Sequence, residues 1–293
     1  MKTAISTLAV ERPKHLKHAL TLLHESLATE RLTPLAGGTD LFVYLNAGSH
    51  RGTRFLDLAP CAELRGIKAV KGGIRIGALE TFDRIARHPK MAAWPLLVQA
   101  ARCVGAAQIQ NRGTIGGNIA NASPAGDSLP VLLAYDALVH VASVRGERVI
   151  PFRDLQTGYR QLALEADELI VAVEIPAVAA GAKQFFRKVG TRAAQSISKV
   201  VFAGVLVPGR GGQWSHVRLA WGSMAPITQR SLRAEAALLA HKPSAQAAAW
   251  ANVALGEDLV PIDDIRSDAE YRLSAARHVL AQFLRSSHAG FRG

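Results

Sequence analysis

The chain has 293 residues and a formal net charge of +12, with 49% hydrophobic and 20% charged residues. This composition indicates a globular protein with a real core, and no apolar run reaches the roughly 18 residues that a membrane helix needs. The basic residues are scattered and aromatic residues make up only 6%, which argues against nucleic acid as a partner. The first residues lack the pattern of a secretory signal, so we expect a cytoplasmic protein.

The first part of the chain alternates short strands and helices. Leucines recur at helical spacing between residues 16 and 27, which predicts a helix over 13–30 with Pro13 in its first turn. The further predicted elements are a strand near Leu35, a helix from Leu41, a strand over 55–58 that closes a small βαβ-like lobe, a hairpin over 67–76, a helix over 81–88 capped by Thr81, helices over 95–104 and 129–134, and strands over 138–144 and 169–175.

The second part of the chain follows a run of small residues at 177–182, which indicates a domain boundary. The predicted elements there are strands over 185–189, 200–207 and 217–221, followed by helices over 229–240, 244–254 and 267–286. Strands followed by helices predict an α+β domain whose sheet is covered on one face. We expect the tail after Arg285 to fray.

These patterns predict two domains, at 1–176 and 183–293, the first of them divided into parts at about 1–58 and 59–176.

Two glycine loops carry the functional signal. The first is Leu35-Ala36-Gly37-Gly38-Thr39-Asp40-Leu41, and the second is Thr114-Ile115-Gly116-Gly117-Asn118, which runs on to Asp127. Glycine tolerates positive φ, so that successive N–H groups can face one way and form an anion nest. Two nests suit a ligand with two phosphates, such as a dinucleotide, and we expect a Gly116→Val side chain to fill the pyrophosphate's space without unfolding the chain. Neither loop has Rossmann or Walker spacing.

Two charged residues accompany the loops. The carboxylate of Asp127 would repel phosphate but can accept hydrogen bonds from ribose or ribityl hydroxyls; alternatively it caps the helix over 129–134. Lys188 lies in the run Phe186-Arg187-Lys188-Val189-Gly190. The residues alone favour a surface cation there over an ammonium group that reaches across a domain cleft.

The remaining candidate groups offer no catalytic or metal chemistry. Cys61 and Cys103 are the only cysteines, too few for an iron–sulfur cluster or a structural zinc site, and we expect both to be free thiols. None of the ten histidines stands in the spacing of a triad or a metal site, so we assign no catalytic residue and no metal ligand.

The second loop and its surroundings resemble a known signature. The stretch 108–118, continuing to Asp127 and Pro130, looks like the flavin-binding signature of the molybdenum hydroxylases, and 36–41 matches that family's first FAD loop. The stretches 186–192 and 220–230 resemble parts of its C-terminal domain. The chain therefore resembles, over nearly its whole length, the FAD-binding medium subunit of three-subunit xanthine, aldehyde, nicotine and carbon monoxide dehydrogenases.

This resemblance implies an α+β fold. It consists of a vanillyl-alcohol-oxidase-type (PCMH-type) FAD-binding domain of two subdomains and a small C-terminal α+β domain. It also implies that the two loops hold the FAD pyrophosphate, that Asp127 contacts FAD hydroxyls, and that Val104 replaces an aromatic residue found beside the cofactor in some relatives. The implied FAD-binding residues are Leu35, Ala36, Gly37, Gly38, Thr39, Asp40, Leu41, Val104, Thr114, Ile115, Gly116, Gly117, Asn118, Asp127, Ile170 and Lys188.

The resemblance further implies an assembly. The partners would be a large molybdenum-cofactor subunit and a small [2Fe–2S] subunit, in a dimer of heterotrimers. This chain would carry FAD alone, and the electrons would leave to NAD, oxygen, a quinone or a carrier protein. Two alternatives remain: a stand-alone flavin reductase resembling UDP-N-acetylenolpyruvoylglucosamine reductase, and a non-enzymatic basic binding module.

Overall fold

A computed structural model describes residues 8–50 and 52–291. The chain opens with three strands, β1 (Ala9–Glu11), β2 (Thr33–Leu35) and β3 (Arg54–Asp57), and two helices, α1 (Leu16–Glu25) and α2 (Leu41–Ala47). The strands form a parallel sheet in the order β1–β3–β2. The predicted βαβ lobe is confirmed.

The start of α1 differs from the prediction. The His15 side chain caps this helix by accepting from the backbone N–H of His18, so that Pro13 lies ahead of the first turn. The three-residue strand β1 was missed because two of its residues are exposed and it has no apolar alternation.

The next region is built around an antiparallel sheet of five strands. The strands are β4 (Ile67–Val70), β5 (Gly73–Gly77), β6 (Leu138–Ser143), β7 (Gly146–Pro151) and β10 (Leu169–Pro176), in the order β4–β5–β10–β6–β7. The other elements are α3 (Phe82–Arg87), α4 (Pro95–Cys103), α5 (Ala107–Gln110), α6 (Ile115–Asn121), α7 (Leu129–Ala134), α8 (Phe152–Leu155), and the small pair β8 (Gln156–Gly158) and β9 (Gln161–Leu162). The predicted hairpin and cap are confirmed, since the Thr81 hydroxyl accepts from the Arg84 N–H.

The C-terminal domain has four antiparallel strands followed by three helices. They are β11 (Lys183–Val189), β12 (Val200–Pro208), β13 (Trp214–Gly222), β14 (Gln229–Arg230), α9 (Leu232–Ala240), α10 (Ala245–Asp258) and α11 (Ala269–Ser287). Residues 229–230 were predicted to begin a helix, but they pair with β13 instead. The described part of the tail packs rather than frays, because Phe291 stacks on Trp214 with ring centroids 6.3 Å apart.

The C-terminal sheet is covered on both faces, where the sequence predicted one. Along β12, Val201, Ala203 and Val205 pack into the core of the preceding region. The alternating residues Val200 and Phe202 pack under the C-terminal helices. Because successive side chains of a strand point to opposite faces, an unbroken apolar strand serves two cores. No described helix is long and apolar enough to cross a membrane.

A buried carboxylate ties α1 to the turn between β6 and β7. The guanidinium of Arg145 donates to the two Asp167 oxygens at 2.5 and 2.8 Å, and His24 Nδ1 lies 2.9 Å from Oδ2. Asp167 is 2% exposed. The hydrogen bonds from Arg145 lower the pKa of Asp167 to about 2, against the effect of burial.

We expect Asp167→Asn to lower the free energy of unfolding at pH 7 by about 2 kcal/mol, the equivalent of this pKa shift. The folded-state pKa lies below the unfolded value, so the stabilisation is complete above about pH 4 and is lost as the pH falls through about 2. Urea denaturation of both proteins over the acid range measures the difference. If the difference in unfolding free energy between the native chain and the variant stayed constant on acidification, the low pKa assigned to Asp167 would be contradicted.

Candidate functional site

A cleft of about 1270 Å³ separates the two glycine loops from the C-terminal domain. The C-terminal side is formed by residues 195–198, 223–226 and part of 262–272. Pockets for drug-sized ligands usually measure roughly 300–1,000 Å³. The cleft is therefore large enough for an extended ligand such as a dinucleotide.

The fold brings nearly all the predicted FAD-binding residues to this cleft. Ile115 and Lys188 are the exceptions: Ile115 is fully buried in the core, and Lys188 lies behind Asp127. The predicted residues that line the cleft are Leu35, Ala36, Gly37, Gly38, Thr39, Asp40, Leu41, Val104, Thr114, Gly116, Gly117, Asn118, Asp127 and Ile170.

The first glycine loop runs from the end of β2 to the start of α2. Within the described residues, the N–H groups from Gly37 to Leu41 donate to no protein acceptor. Gly38 has a φ of +76°, and a Cβ at Gly37 would collide with the Arg112 carbonyl. All of these residues except the exposed Asp40 are half-buried, and a row of such donors without acceptors matches an anion nest. The loop is therefore suited to a phosphate-bearing ligand.

The second glycine loop uses its donors internally, which the sequence did not reveal. The N–H of Ile115 donates to the Glu80 carbonyl at 3.0 Å, and that of Gly116 to the Ala78 carbonyl at 2.9 Å. The N–H of Gly117 donates to the Thr114 hydroxyl at 3.1 Å. The expectation of a second nest is therefore wrong. This loop offers the cleft its glycine surface and the side chain of Asn118.

Gly116 has a different role from the one predicted. A Cβ added there would lie 2.6 Å from the Ala78 Cβ, in the connection between β5 and α3. A valine would strike the protein interior before it reached a ligand. The expectation that Gly116→Val spares the fold is therefore wrong, because the glycine permits close packing of α6.

Asp127 and Lys188 form a buried ion pair beside the cleft. Lys188 Nζ donates to Asp127 Oδ2 at 2.7 Å and to the Cys103 carbonyl at 3.0 Å. The Ser198 hydroxyl donates to Asp127 Oδ1 at 2.6 Å. Both charged side chains are 8% exposed, so Lys188 is not a surface cation. It reaches from β11 across the domain interface.

The environment of Asp127 opposes its charge. Burial raises the pKa of this carboxyl above its ordinary value, while Lys188 and Ser198 lower it. Ser128, rather than Asp127, occupies the N-cap position of α7, and no side chain caps that helix. The alternative reading of Asp127 as a cap is therefore wrong.

A polar cluster at the cleft was missed in the sequence. The Tyr44 hydroxyl donates to Asn121 Oδ1 at 2.9 Å, and the Arg160 guanidinium donates to both at 2.5 and 2.9 Å. Arg160 has a φ of +54° in the turn between β8 and β9. No local pattern connects residues so far apart in the chain. All three line the cleft, where Val104 supplies no aromatic ring.

The C-terminal wall contributes a second set of missed residues. Arg272 is 3% exposed and donates to the carbonyls of Lys199 and Ser223 at 2.9 and 2.8 Å. Ser223 has a φ of +64°, and its N–H donates to the Pro124 carbonyl at 2.8 Å. Ser223 lies in the 220–230 stretch that the sequence singled out, whereas Arg272 had no signal.

Neither cysteine is disposed for metal or thiolate chemistry. Cys61 is fully buried, and burial raises its pKa to about 11. Burial also raises the pKa of the half-buried Cys103. Among the described residues, no group of three or more histidine, cysteine or acidic side chains could hold a metal ion.

Two family models match the chain. Residues 5–178 match the FAD-binding domain in molybdopterin dehydrogenase, and residues 185–287 match the carbon monoxide dehydrogenase flavoprotein C-terminal domain. A putative xanthine dehydrogenase FAD-binding subunit of Escherichia coli is 34% identical over 82% of each chain. The carbon monoxide dehydrogenase medium chain of Hydrogenophaga pseudoflava is 30% identical over 94% of this chain and 96% of its own.

Solved structures show the same fold. A carbon monoxide dehydrogenase from Hydrogenophaga pseudoflava matches with a TM-score of 0.91 at 29% identity, covering 96% of this chain and 97% of the other. Quinoline 2-oxidoreductase from Pseudomonas putida matches with a TM-score of 0.89 at 26% identity, covering both chains completely. The α+β architecture implied by the family resemblance is confirmed.

The free donors of the first loop predict a selective effect of Gly38→Ala. Gly38 has a φ of +76°, which an alanine adopts only with strain, and the added Cβ would also displace the exposed Phe42 ring, which lies 2.9 Å away. Relief of that strain would rotate the backbone of the loop and turn its N–H groups. Each hydrogen bond to a charged group contributes about 1.5–3 kcal/mol. We expect FAD affinity to fall by about tenfold or more, measured by flavin fluorescence titration.

Gly48→Ala is the matched control. Gly48 has a φ of +68° but nothing lies within 4 Å of its added Cβ. Both variants carry the conformational cost of about 1–2 kcal/mol for a left-handed alanine, but only Gly38→Ala alters the cleft. Equal FAD affinity in the two variants would count against the nest.

The ion pair between Asp127 and Lys188 can be tested by comparing the unfolding free energies of a single and a double variant. Lys188→Met leaves the Asp127 carboxylate buried without its cation, which should cost about 3–5 kcal/mol of unfolding free energy. The double variant Asp127→Leu/Lys188→Met removes both charges and should recover most of that loss. Chemical denaturation measures both effects.

The same double variant tests the cofactor contact separately from the fold. If the Asp127 carboxylate accepts hydrogen bonds from FAD hydroxyls, the stable double variant should still bind FAD more weakly than the native chain. Native FAD affinity in that variant would rule out the contact.

Proposed function

The chain belongs to the family of FAD-binding medium subunits of the molybdenum hydroxylases, and on that premise we propose that it is the electron-transfer subunit of a multi-subunit dehydrogenase. The partners would be a large subunit with the molybdenum cofactor and a small subunit with [2Fe–2S] clusters, in a dimer of heterotrimers. Bound FAD would supply redox chemistry between those clusters and an external acceptor. The row of acceptor-free N–H groups in the first glycine loop is the observation that carries the proposal.

Different cleft residues would contact different parts of FAD. The N–H groups from Gly37 to Leu41 would donate to the pyrophosphate, the most highly charged part of the cofactor. Gly117 lies beside the first loop, because a Cβ added to it would be in ordinary contact with Ala36, at 3.8 Å. Gly117 and Asn118 would therefore pack beside the pyrophosphate. The two loops thus form one continuous wall. Val104 and Ile170 would add apolar contacts.

Asp127 fits the hydroxyl groups of the cofactor better than its phosphates. Each of its oxygens accepts one hydrogen bond from the protein, and a carboxylate oxygen can accept another. Lys188 offsets the negative charge, which keeps the carboxylate from repelling the pyrophosphate. In this arrangement Lys188 acts on FAD through Asp127.

The remaining walls position the cofactor and exclude water. Residues 195–198 and 223–226 close the cleft from the C-terminal side, and Arg272 fixes the second of these segments through the Ser223 carbonyl. We assign no general acid or base, because a subunit that passes electrons between redox groups needs none. Substrate oxidation would take place on the large subunit.

Purification of the tagged chain from its own cells tests the proposal. We expect stoichiometric FAD, a larger co-purifying subunit with molybdenum and a smaller one with iron and sulfide. Reduction with dithionite should bleach the iron–sulfur and flavin absorbance, and an added electron acceptor should restore it.

Two results would replace this proposal. Flavin-dependent turnover by the isolated chain would identify a stand-alone reductase. A flavin-free chain with strongly salt-dependent binding to nucleic acid would identify a basic binding module.

A further inference from the structure

A second hollow, of about 370 Å³, lies where the end of α4 meets β11. It shares no lining residue with the cofactor cleft. Of the described residues, four cations line it, namely Arg102, Arg187, Lys188 and Arg192, and no carboxylate does. We call it the basic hollow.

The arginines of the basic hollow lack counter-charges. In the described part of the chain, none of the three forms an ion pair. Arg192 donates to the carbonyls of Ala194 and Gln195, which orders its guanidinium without neutralising it. Arg102 and Arg187 are exposed, and no described side chain or carbonyl accepts from either guanidinium. Like charges gathered in one concavity repel each other, and the attraction of a bound anion would offset that repulsion.

The side chain of Lys188 places a buried positive charge at the lining of the hollow. Its side chain is 8% exposed, and its ammonium donates to Asp127 and to the Cys103 carbonyl. An ammonium has three protons to donate, so one has no acceptor among the described residues. Within residues 8–50 and 52–291, Asp127 is the one carboxylate paired with any of the four cations, and both its oxygens are already hydrogen-bonded by Lys188 and Ser198.

We propose that the basic hollow binds a phosphoryl oxyanion, either free phosphate or the phosphate of a nucleotide, independently of the cofactor cleft. Arginine forks match phosphate oxygens with paired hydrogen bonds, and an ammonium complements them as a point charge. The ligand would lie between Arg102 and Arg187, against the wall formed by Lys188.

The position of Lys188 links the hollow to the cofactor site. The same ammonium holds Asp127, which lines the cleft. An oxyanion in the hollow competes with Asp127 for the field of Lys188. By linkage, any change that the oxyanion makes in FAD affinity must equal the change that FAD makes in oxyanion affinity.

The test uses the FAD-loaded full chain in the assembly in which it purifies, so that FAD occupies the cleft. Isothermal titration with inorganic phosphate, at constant ionic strength set by chloride, should give saturable binding. In Arg102→Ala/Arg187→Ala the dissociation constant should rise by about tenfold or more. Arg210→Ala is the control, because Arg210 is an exposed arginine in the turn between β12 and β13, and it should bind phosphate as the native chain does.

A conservative variant separates loss of phosphate binding from misfolding of the double alanine variant. Arg187→Lys keeps the charge but loses the fork, so it should bind phosphate less tightly than the native chain and more tightly than the double alanine variant. Titration with ADP distinguishes the two possible ligands. If ADP binds more tightly than phosphate, the ligand is a nucleotide, and if ADP binds no more tightly than phosphate, the ligand is the free oxyanion.

Three outcomes would overturn the proposal. They are the absence of saturable phosphate binding in the assembly, equal binding by the native chain and the double alanine variant, and an equal loss in Arg210→Ala. The last would show a general effect of the net charge of +12. None of these outcomes bears on FAD binding, which is measured separately by the flavin spectrum.

Discussion

The ion pair between Asp127 and Lys188 determines how the two halves of the cleft meet. Removing two charges from water carries a large penalty, which their attraction offsets only with good geometry and further hydrogen bonds. Here Ser198 and the Cys103 carbonyl provide those bonds. The pair joins the segment that follows α6 to β11, so a C-terminal strand is held against the region that carries both glycine loops. Asp127 lines the cleft, and Lys188 lines the basic hollow.

The shared sheet makes that junction rigid. Because one face of β12 packs into the core of the preceding region, the C-terminal domain cannot swing away without exposing the apolar side chains on both sides of that contact. Polar contacts reinforce the same junction: the Ser223 N–H donates to the Pro124 carbonyl at 2.8 Å, and Arg218 Nε donates to Asp136 Oδ2 at 2.9 Å. The residues that face the ligand from the C-terminal side are therefore preorganised by packing, which reduces the ordering cost of binding.

The sequence was most informative where local rules decide the structure. Glycine pairs marked both loops, the Thr81 cap placed α3, and apolar runs placed the core strands. It failed where a residue's role depends on a distant partner. Ser198 had no signal because its hydroxyl becomes important only when folding brings it to Asp127, 71 positions away. The strand β7 was missed for a related reason, since most of its residues are exposed and only its pairing with β6 defines it.

The same limit explains why two similar glycine loops have different tasks. A glycine pair indicates that backbone must turn or approach something closely, but the sequence does not say what it approaches. In the first loop the backbone donors at the cleft have no acceptor among the described residues. In the second loop the glycines let α6 pack against Ala78, and the donors bond to protein carbonyls and to the Thr114 hydroxyl. A single nest can hold a pyrophosphate if packing against neighbouring backbone fixes the conformation of the first loop. The carbonyl of Arg112, two residues ahead of the second loop, lies so close to Gly37 that no Cβ would fit there, so this neighbouring backbone segment fixes the position of the first loop.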